Sequence, residues 1–423
     1  MNEIADTTAD ASFAVRQIFS VEEIFESISS RLSKHVTGVE RQELIVEMLD
    51  ELDEPDREQI RERLNGFLNR MVELNASDID FGGQGSLGQI WFRIYNDKKT
   101  VPELGAYSLD QFNVLALNIL THRQYQLLFR DRNLDFSHAI NYKGESVRFR
   151  GDLYFDTDNL ALNMRRINNK IWPFKELGFH PIIAKALSLK HEKQGLILVT
   201  GITGSGKSTT LDSIIDANNH SVDAHVVIIA NPIECVHLSD RCLIRHREVG
   251  RDVLSFKEGA VQALRQDPDI IMIGEMRDAE TIMTSLEITD SGHKVFSTLH
   301  TGSAVESIDR IVAECPTEEQ ERVRMRLADV LKVIISQKLV PTLDNKRILA
   351  KEVLLVNSSV RAAIKNNNTG EIYQMISESG KDGMQTMEQD LRRLVVEKKI
   401  SIEEAVNFAN NKKRMRELLD YSA

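Results

Sequence analysis

The chain has 423 residues, 42% of them hydrophobic and 28% charged, with a formal net charge of -11. That is apolar material for more than one core, so two domains and an appendage are expected. No run approaches the roughly eighteen apolar residues of a membrane span, the acidic opening MNEIADTTAD lacks the basic and apolar regions of a signal peptide, and the acidic total argues against a nucleic-acid partner. Three scattered cysteines, Cys235, Cys242 and Cys315, point to reduced thiols in a cytosolic setting.

Residues 1–75 read as an N-terminal helical extension. Ile18, Val21, Phe25, Ile28 and Leu32 fall on one helical face. Thr37-Gly38-Val39-Glu40 has capping-box spacing ahead of Leu44, Ile45, Met48, Leu49 and Leu52, and Asp53 with Pro55 opens a third helix through Ile60, Leu64, Phe67 and Met71. The segment holds 17 acidic and 8 basic residues, so most of the net negative charge sits here, as a solvated bundle surface or as a docking module for a partner.

Residues 76–168 change to short alternating segments such as Gln89-Ile90-Trp91-Phe92-Arg93-Ile94 and Val147-Arg148-Phe149-Arg150, the pattern of a small α+β domain. A helix around Asp110 to Leu120 packs on its sheet, and Leu160 to Arg165 makes its last strand. Arg148, Arg150 and Arg165 lie on strands; they are either solvated or aimed at the γ-phosphate of a nucleotide in a neighbouring domain.

A linker over 169–185 leads to an α/β domain, 186–423, whose organising stretch is Leu196 to Thr210, LILVTGITGSGKSTT. The β-branched run reads as a buried strand, the glycines bend the chain, and Ser208 onward reads as a helix. The spacing Gly201-x-x-x-x-Gly206-Lys207-Ser208, with Thr203, Gly204 and Ser205 inside it and Thr209 after it, is a phosphate cradle. Backbone N–H groups face the β-phosphate, Lys207 reaches the β/γ-phosphates, and the Ser208 hydroxyl is a Mg²⁺ ligand; ATP with Mg²⁺ is the expected occupant. Val226 to Ile229 and Ile270 to Ile273 are further apolar strands that run into Glu234 and Glu275, carboxylates at the strand ends where ligands of parallel sheets collect. Glu275 is placed to activate water. His293 and His300 bracket one more strand and are catalytic candidates, and His300, which follows its apolar run, is placed to sense the γ-phosphate, set against the commoner role of a histidine satisfied in the core. From Asp309 onward the chain reads as helices with one late strand pair at Ile348 to Val356 and no further catalytic constellation.

The ordered set GITGSGKSTT, NPIECVH, REV-x-RD, RQDPDIIMIGEMRD, SGHKVFSTLHT and DGMQT resembles the secretion-type hexameric ATPases of type II and type IV systems, and most of all the retraction motors of type IV pili. The likeness runs from about Ala76 to Ile400. It implies a PAS-like domain before a RecA-like P-loop ATPase domain, a homohexameric ring, and a cytoplasmic motor for twitching motility that meets an inner-membrane platform protein of the pilus machinery. By the same resemblance Glu234 is the acidic-box glutamate, Glu275 the Walker B glutamate, His293 and His300 the histidine box, and Arg148, Arg150 and Arg165 nucleotide-facing arginines.

The chain departs from that pattern in three places. Its acidic box reads Ile229-Ala230-Asn231-Pro232-Ile233-Glu234, lacking two carboxylates that the family usually carries; Asp158 stands where a family arginine is frequent; and the retraction-type segment is matched only loosely by Val360 to Asn366. The altered acidic box leaves open a low-turnover nucleotide-binding accessory subunit beside a true motor. A type IV secretion or pilus assembly ATPase is the other alternative. The chain lacks the paired CxxC elements of extension ATPases and shows no grouped thiolate or imidazole ligands for zinc, which favours the retraction branch.

Overall fold

A computed structural model describes residues 19–420 apart from 96, 168, 169 and 345, so Ile18 of the expected first helix lies outside the described residues. Contacts divide the chain into two compact units, Met1–Arg166 and Ile167–Ala423.

The first unit opens with α1 (Val21–Arg31), α2 (Gly38–Asp50) and α3 (Glu54–Glu73). A capping box of Ser20 and Glu23 starts α1. The box read at Thr37 does not form, since its side chain makes no cap hydrogen bond. Six strands follow: β1 (Asp78–Gly82), β2 (Trp91–Ile94), β3 (Asp97–Thr100), then α4 (Leu109–Leu117) and α5 (His122–Asp131), then β4 (Asn133–Tyr142), β5 (Glu145–Asp156) and β6 (Asn159–Arg166). They form one antiparallel sheet in the order β3-β2-β1-β6-β5-β4, the α+β arrangement expected of a PAS-like domain. The three helices read as an extension share a core with this sheet. Ile45, Leu49, Ile60, Leu64, Phe67 and Met71 belong to the same apolar cluster as Ile79, Phe92, Phe112 and Phe149. Three short helices expose more apolar surface than they can bury in one another, and the sheet face covers the remainder. Arg41 adds a paired contact, its Nε and Nη2 donating to both carboxylate oxygens of Asp110 at 2.9 and 2.8 Å.

In the second unit α6 (Pro181–Leu187) precedes β7 (Gly195–Thr200), α7 (Lys207–Asn219), β8 (Ala224–Ala230), β9 (Cys242–Glu248), α8 (Phe256–Ala263), β10 (Ile270–Ile273), α9 (Ala279–Asp290) and β11 (Lys294–Leu299). After α10 (Ala304–Ala313) and α11 (Gln320–Val330) come β12 (Leu331–Pro341) and β13 (Arg347–Leu355). The seven-stranded sheet runs β13-β12-β7-β11-β10-β8-β9, parallel except for the antiparallel β12-β13 pair. Such a sheet is buried on both faces, and successive residues of one strand enter different cores. Leu196 and Leu198 pack with α9, α10 and α11, whereas Ile197 and Val199 pack with α6 and α7. The RecA-like P-loop architecture is therefore present.

Five further helices, α12 (Ser358–Lys365), α13 (Ile372–Glu378), α14 (Met387–Val396), α15 (Ile402–Phe408) and α16 (Lys412–Asp420), complete the unit. The late strand pair read at Ile348 to Val356 is β12 with β13, so that range holds only its second strand and β12 falls in a stretch read as helix. The run Leu331-Lys332-Val333-Ile334-Ile335 is β-branched and continues from α11 without a turn residue, so periodicity does not mark the change; pairing with β7 decides it. No helix among the described residues is long and apolar enough to cross a membrane.

Candidate active site

Strand β7 is buried along its whole length and delivers the chain to a loop of three positive-φ glycines, Gly201, Gly204 and Gly206. Gly201 is required twice over: its φ is 149°, and a Cβ there would stand 2.5 Å from the Gln337 carbonyl oxygen. Gly206 caps α7 without a side chain, leaving the first-turn N–H groups of that helix to a ligand. Thr203, Gly204 and Thr209 are exposed, Ser208 is half-buried, and Ser205 is buried with its carbonyl oxygen accepting a 2.8 Å bond from Gln337 Nε2. Lys207 lies back on the loop, its Nζ donating to the carbonyl oxygens of Gly201 at 2.8 Å and Ile202 at 3.2 Å. Burial lowers the pKa of that ammonium, while Glu275 and Glu234 pull it back up.

Glu275 follows β10 and is held on both oxygens. Arg277 Nε donates to Oε2 at 2.7 Å, and His300 Nε2 stands 3.2 Å from Oε1. His300 sits just past β11, its own carbonyl oxygen accepting from Arg310 at 3.1 Å. Burial lowers the imidazole pKa, the Lys207 charge lowers it further, and Glu275 opposes both. The ring is thus biased to the neutral form, and with its proton on Nε2 it donates to Glu275. Gly274 lets β10 end this close to β8: its N–H donates to the Ile229 carbonyl oxygen at 2.7 Å, and a Cβ would lie 3.2 Å from Ala230 Cα. Beyond β8 the Glu234 segment is pinned from beneath by Glu248, whose buried Oε2 accepts the Ile233 N–H at 3.1 Å. The acid of the REV-x-RD motif is thereby a support for Glu234.

His293 lies apart from this group. It precedes β11, and its carbonyl oxygen accepts the N–H of Gly195 at the start of β7, so it lies at the opposite edge of the sheet from Lys207. Seven residue steps at ~3.3 Å each put it about 23 Å from His300. Its Nδ1 is occupied by Ser291 Oγ at 3.0 Å and the Ile288 carbonyl oxygen at 3.2 Å. Both histidines bracket the strand as read, but only His300 joins Glu275.

No catalytic constellation is expected after Asp309 from the sequence. The structure instead brings Gln337, Leu339, Lys351, Gly383, Met384, Gln385 and Arg393 to a 690 Å³ cavity beside the P-loop, together with Trp172, Phe179, His180 and Thr209. That volume and its mixed aromatic and polar lining suit the base and ribose of a nucleotide. Gly383 has a φ of 84°, and a Cβ there would approach His180 Cβ to 2.7 Å, so the DGMQT glycine shapes this wall. The motif was visible in sequence; its distance of more than 170 residues from Lys207 hid its place.

The three arginines belong to the first unit. Arg148 and Arg150 alternate with the buried Val147 and Phe149 on β5, and Arg165 on β6 is the register partner of Arg150, so all three occupy the sheet face opposite the helices. Arg165 Nε donates to Asp78 Oδ1 at 2.7 Å, and Arg150 Nη2 to Asp135 Oδ1 at 3.3 Å.

A phosphate-binding loop at the carboxyl edge of a parallel sheet, facing a carboxylate fixed by an arginine and a histidine, defines a P-loop ATPase. Residues 53–347 match the family model described as "Type II/IV secretion system protein". The chain is 38% identical over 295 residues, 70% of its own length and 84% of the other's, to the "Type IV pilus retractation ATPase PilT" of Pseudomonas aeruginosa. It is 36% identical over 326 residues to the "Twitching motility protein" of Neisseria gonorrhoeae, covering 76% and 85% of the two chains. The crystal structure of the pilus retraction motor PilT with bound ADP superposes with a TM-score of 0.73 at 35% identity, covering 83% of this chain and 98% of that one. The chain belongs to the type II/IV secretion ATPase family and is a nucleotide-using ATPase.

Proposed function

We propose that this chain is the motor subunit of a homohexameric ring that hydrolyses ATP to drive retraction of a type IV pilus. The observation that carries the reading is the clamp on Glu275, whose two oxygens meet Arg277 and His300. A carboxylate held this way is aimed before substrate arrives, and little is left to do but exchange one of these partners for a water.

Lys207 makes a parallel exchange. Its bonds to the carbonyl oxygens of Gly201 and Ile202 give way to phosphate oxygens, and the inward N–H groups of the loop and of α7 receive the β-phosphate. The donor set near the loop fits Mg²⁺, since the Ser208 hydroxyl and the Glu234 carboxylate are hard oxygen ligands. Bound Mg²⁺ supplies charge neutralisation on the β- and γ-phosphates. Glu275 then takes a proton from the attacking water, and His300, neutral and hydrogen-bonded to it, holds the carboxylate in register. Arg148, Arg150 and Arg165 contact phosphates in the assembled ring after releasing Asp135 and Asp78. His293 acts through the strand it begins. Residues 1–75 dock or regulate, and an inner-membrane platform protein receives the force, keeping the motor at the inner face of the cytoplasmic membrane.

One observation favours a second reading, a low-turnover accessory subunit: the strand end beside Glu275 carries Ala230 and Asn231 in place of carboxylates. Steady-state phosphate release by the purified ring separates the two. Turnover that Glu275→Gln abolishes, together with loss of pilus retraction in cells carrying that variant, is expected of the motor; nucleotide occupancy without turnover would sink that reading in favour of the accessory one.

A further inference from the structure

Outside the nucleotide site, three side chains of different donor type converge. Asp212 of α7, Cys235 and His237 each place one ligand atom within 4.8 Å of the others. Asp212 lies one helical turn beyond Ser208, and Cys235 and His237 follow Glu234 directly, so two elements that carry the nucleotide site meet here. Cys235 and His237 are buried, and the Asp212 side chain is only 16% exposed. His237 Nε2 stands 3.1 Å from Asp212 Oδ1, close to the ~3.3 Å edge of a tetrahedron with ~2 Å metal bonds. The second ring nitrogen, Nδ1, is buried and has no hydrogen-bond partner. The backbone is braced for the arrangement: the His237 N–H donates to His246 Nε2 at 3.0 Å, and the two rings stack 6.1 Å apart with 6° between their planes.

We infer that Asp212, Cys235 and His237 form a binding site for a borderline-soft divalent transition-metal ion of the Zn²⁺ class. The donor set is the argument. A thiolate and an imidazole select Zn²⁺ over Mg²⁺ and Ca²⁺, which take oxygen, so this site and the Ser208 site are sorted by chemistry. Three protein ligands leave one position of a tetrahedron for water. The grouping overturns the expectation that the chain holds no gathered thiolate and imidazole ligands. Cys-x-His was present at 235–237, but its third member sits 23 residues earlier and only the packing of α7 against the segment after β8 delivers it. Bound there, the ion ties the segment carrying Glu234 to the helix carrying Lys207 and Ser208.

The test is Co²⁺ and Zn²⁺ titration of the reduced full-length protein without nucleotide. Wild type is expected to take up one Co²⁺ per chain with a thiolate-to-metal charge-transfer band, and Zn²⁺ is expected to displace it and raise Tm. Cys235→Ser and His237→Gln should lose the band and weaken Zn²⁺ by more than the ~10–100-fold that loss of an outer hydrogen-bond partner costs. Cys242→Ser and Cys315→Ser should keep it. Wild type showing no charge-transfer band would overturn the site and leave a His237–Asp212 hydrogen bond in its place, as would a band that survives in Cys235→Ser. Because the band is read on wild type, a variant that fails to fold does not blunt the test.

Discussion

Strand β11 has His293 and Lys294 at its start and His300 just past its end, while α7 opens on Lys207, so the two edges of one sheet present the same pair of side chains. Lys294 is fully buried and donates to the carbonyl oxygens of Ala186 at 2.7 Å and Glu192 at 3.0 Å. Lys207 also donates to two backbone carbonyls, but those belong to a glycine loop at a cavity mouth. Both ammonium groups have pKa values lowered by burial, Lys294 to about 7. The histidines divide likewise: His293 is satisfied by Ser291 and a carbonyl, His300 by Glu275. Local chemistry is therefore no guide to role. What separates the edges is whether the partners can be exchanged for a ligand, and that is set by strand direction, which brings the glycine loop and the N-terminus of α7 to the carboxyl edge.

The sharpest break of this comparison is at the carboxyl edge. Glu275→Gln should lower kcat by ~10²–10⁴ with nucleotide affinity nearly unchanged, because the general base is lost while the cradle stays. Lys207→Ala should weaken nucleotide binding about 10–100-fold, the equivalent of a ~1.5–3 kcal/mol charged hydrogen bond. Equilibrium binding beside single-turnover hydrolysis checks both; equal affinity for Lys207→Ala and wild type would refute the cradle.

At the opposite edge the expected effect is on stability. The folded pKa of Lys294 is about 7 against an ordinary lysine value of 10.5, so between these values the unfolded chain binds the extra proton. Stability contributed by this group should rise with pH across that window, by at most about 1.4 kcal/mol per pH unit. Lys294→Met should remove the slope. Urea denaturation of both proteins at pH 7 and pH 9 reads it, and equal slopes would mean the two carbonyls hold the ammonium charged.

A smaller difference separates the histidines. His300→Ala should cost about five- to tenfold in kcat, from ~1 kcal/mol for one hydrogen bond to Glu275, and His293→Ala markedly less. Since the His300 pKa lies below its ordinary value of 6.5, the acid limb of kcat should fall below that pH and vanish in His300→Gln. Equal losses at the two positions would show that position on the sheet does not decide their roles.

The smallest expected change is at the end of β8. Restoring carboxylates with Ala230→Glu and Asn231→Asp should raise kcat a few-fold across a Mg²⁺ titration, by adding oxygen ligands beside Glu234 and Glu275. Superimposable titration curves would assign the whole task to Glu234.

What could be read from the chain alone was whatever chemistry is contiguous. The P-loop is a strand, a glycine loop and a helix start within fifteen residues, and its roles follow from backbone N–H geometry that spacing encodes. Glu234 and Glu275 were legible because a parallel strand that ends in a carboxylate puts it at the ligand edge. A period-3.6 pattern likewise marked the α3 helix, and continuous apolar runs bounded by glycines or carboxylates marked strands β7, β8 and β10. Tertiary structure decided the rest. Gln337 reaches Ser205 only because β12 pairs with β7, and β12 itself was read as helix because a buried strand and a buried helix share an apolar pattern. Gly383 meets His180 across some two hundred residues, and the extension helices join the sheet because their apolar faces need a larger surface than each other. His293 and His300 are equivalent in sequence, each flanking one strand; they differ because the strand sets them about 23 Å apart and only one of its ends faces the phosphate loop.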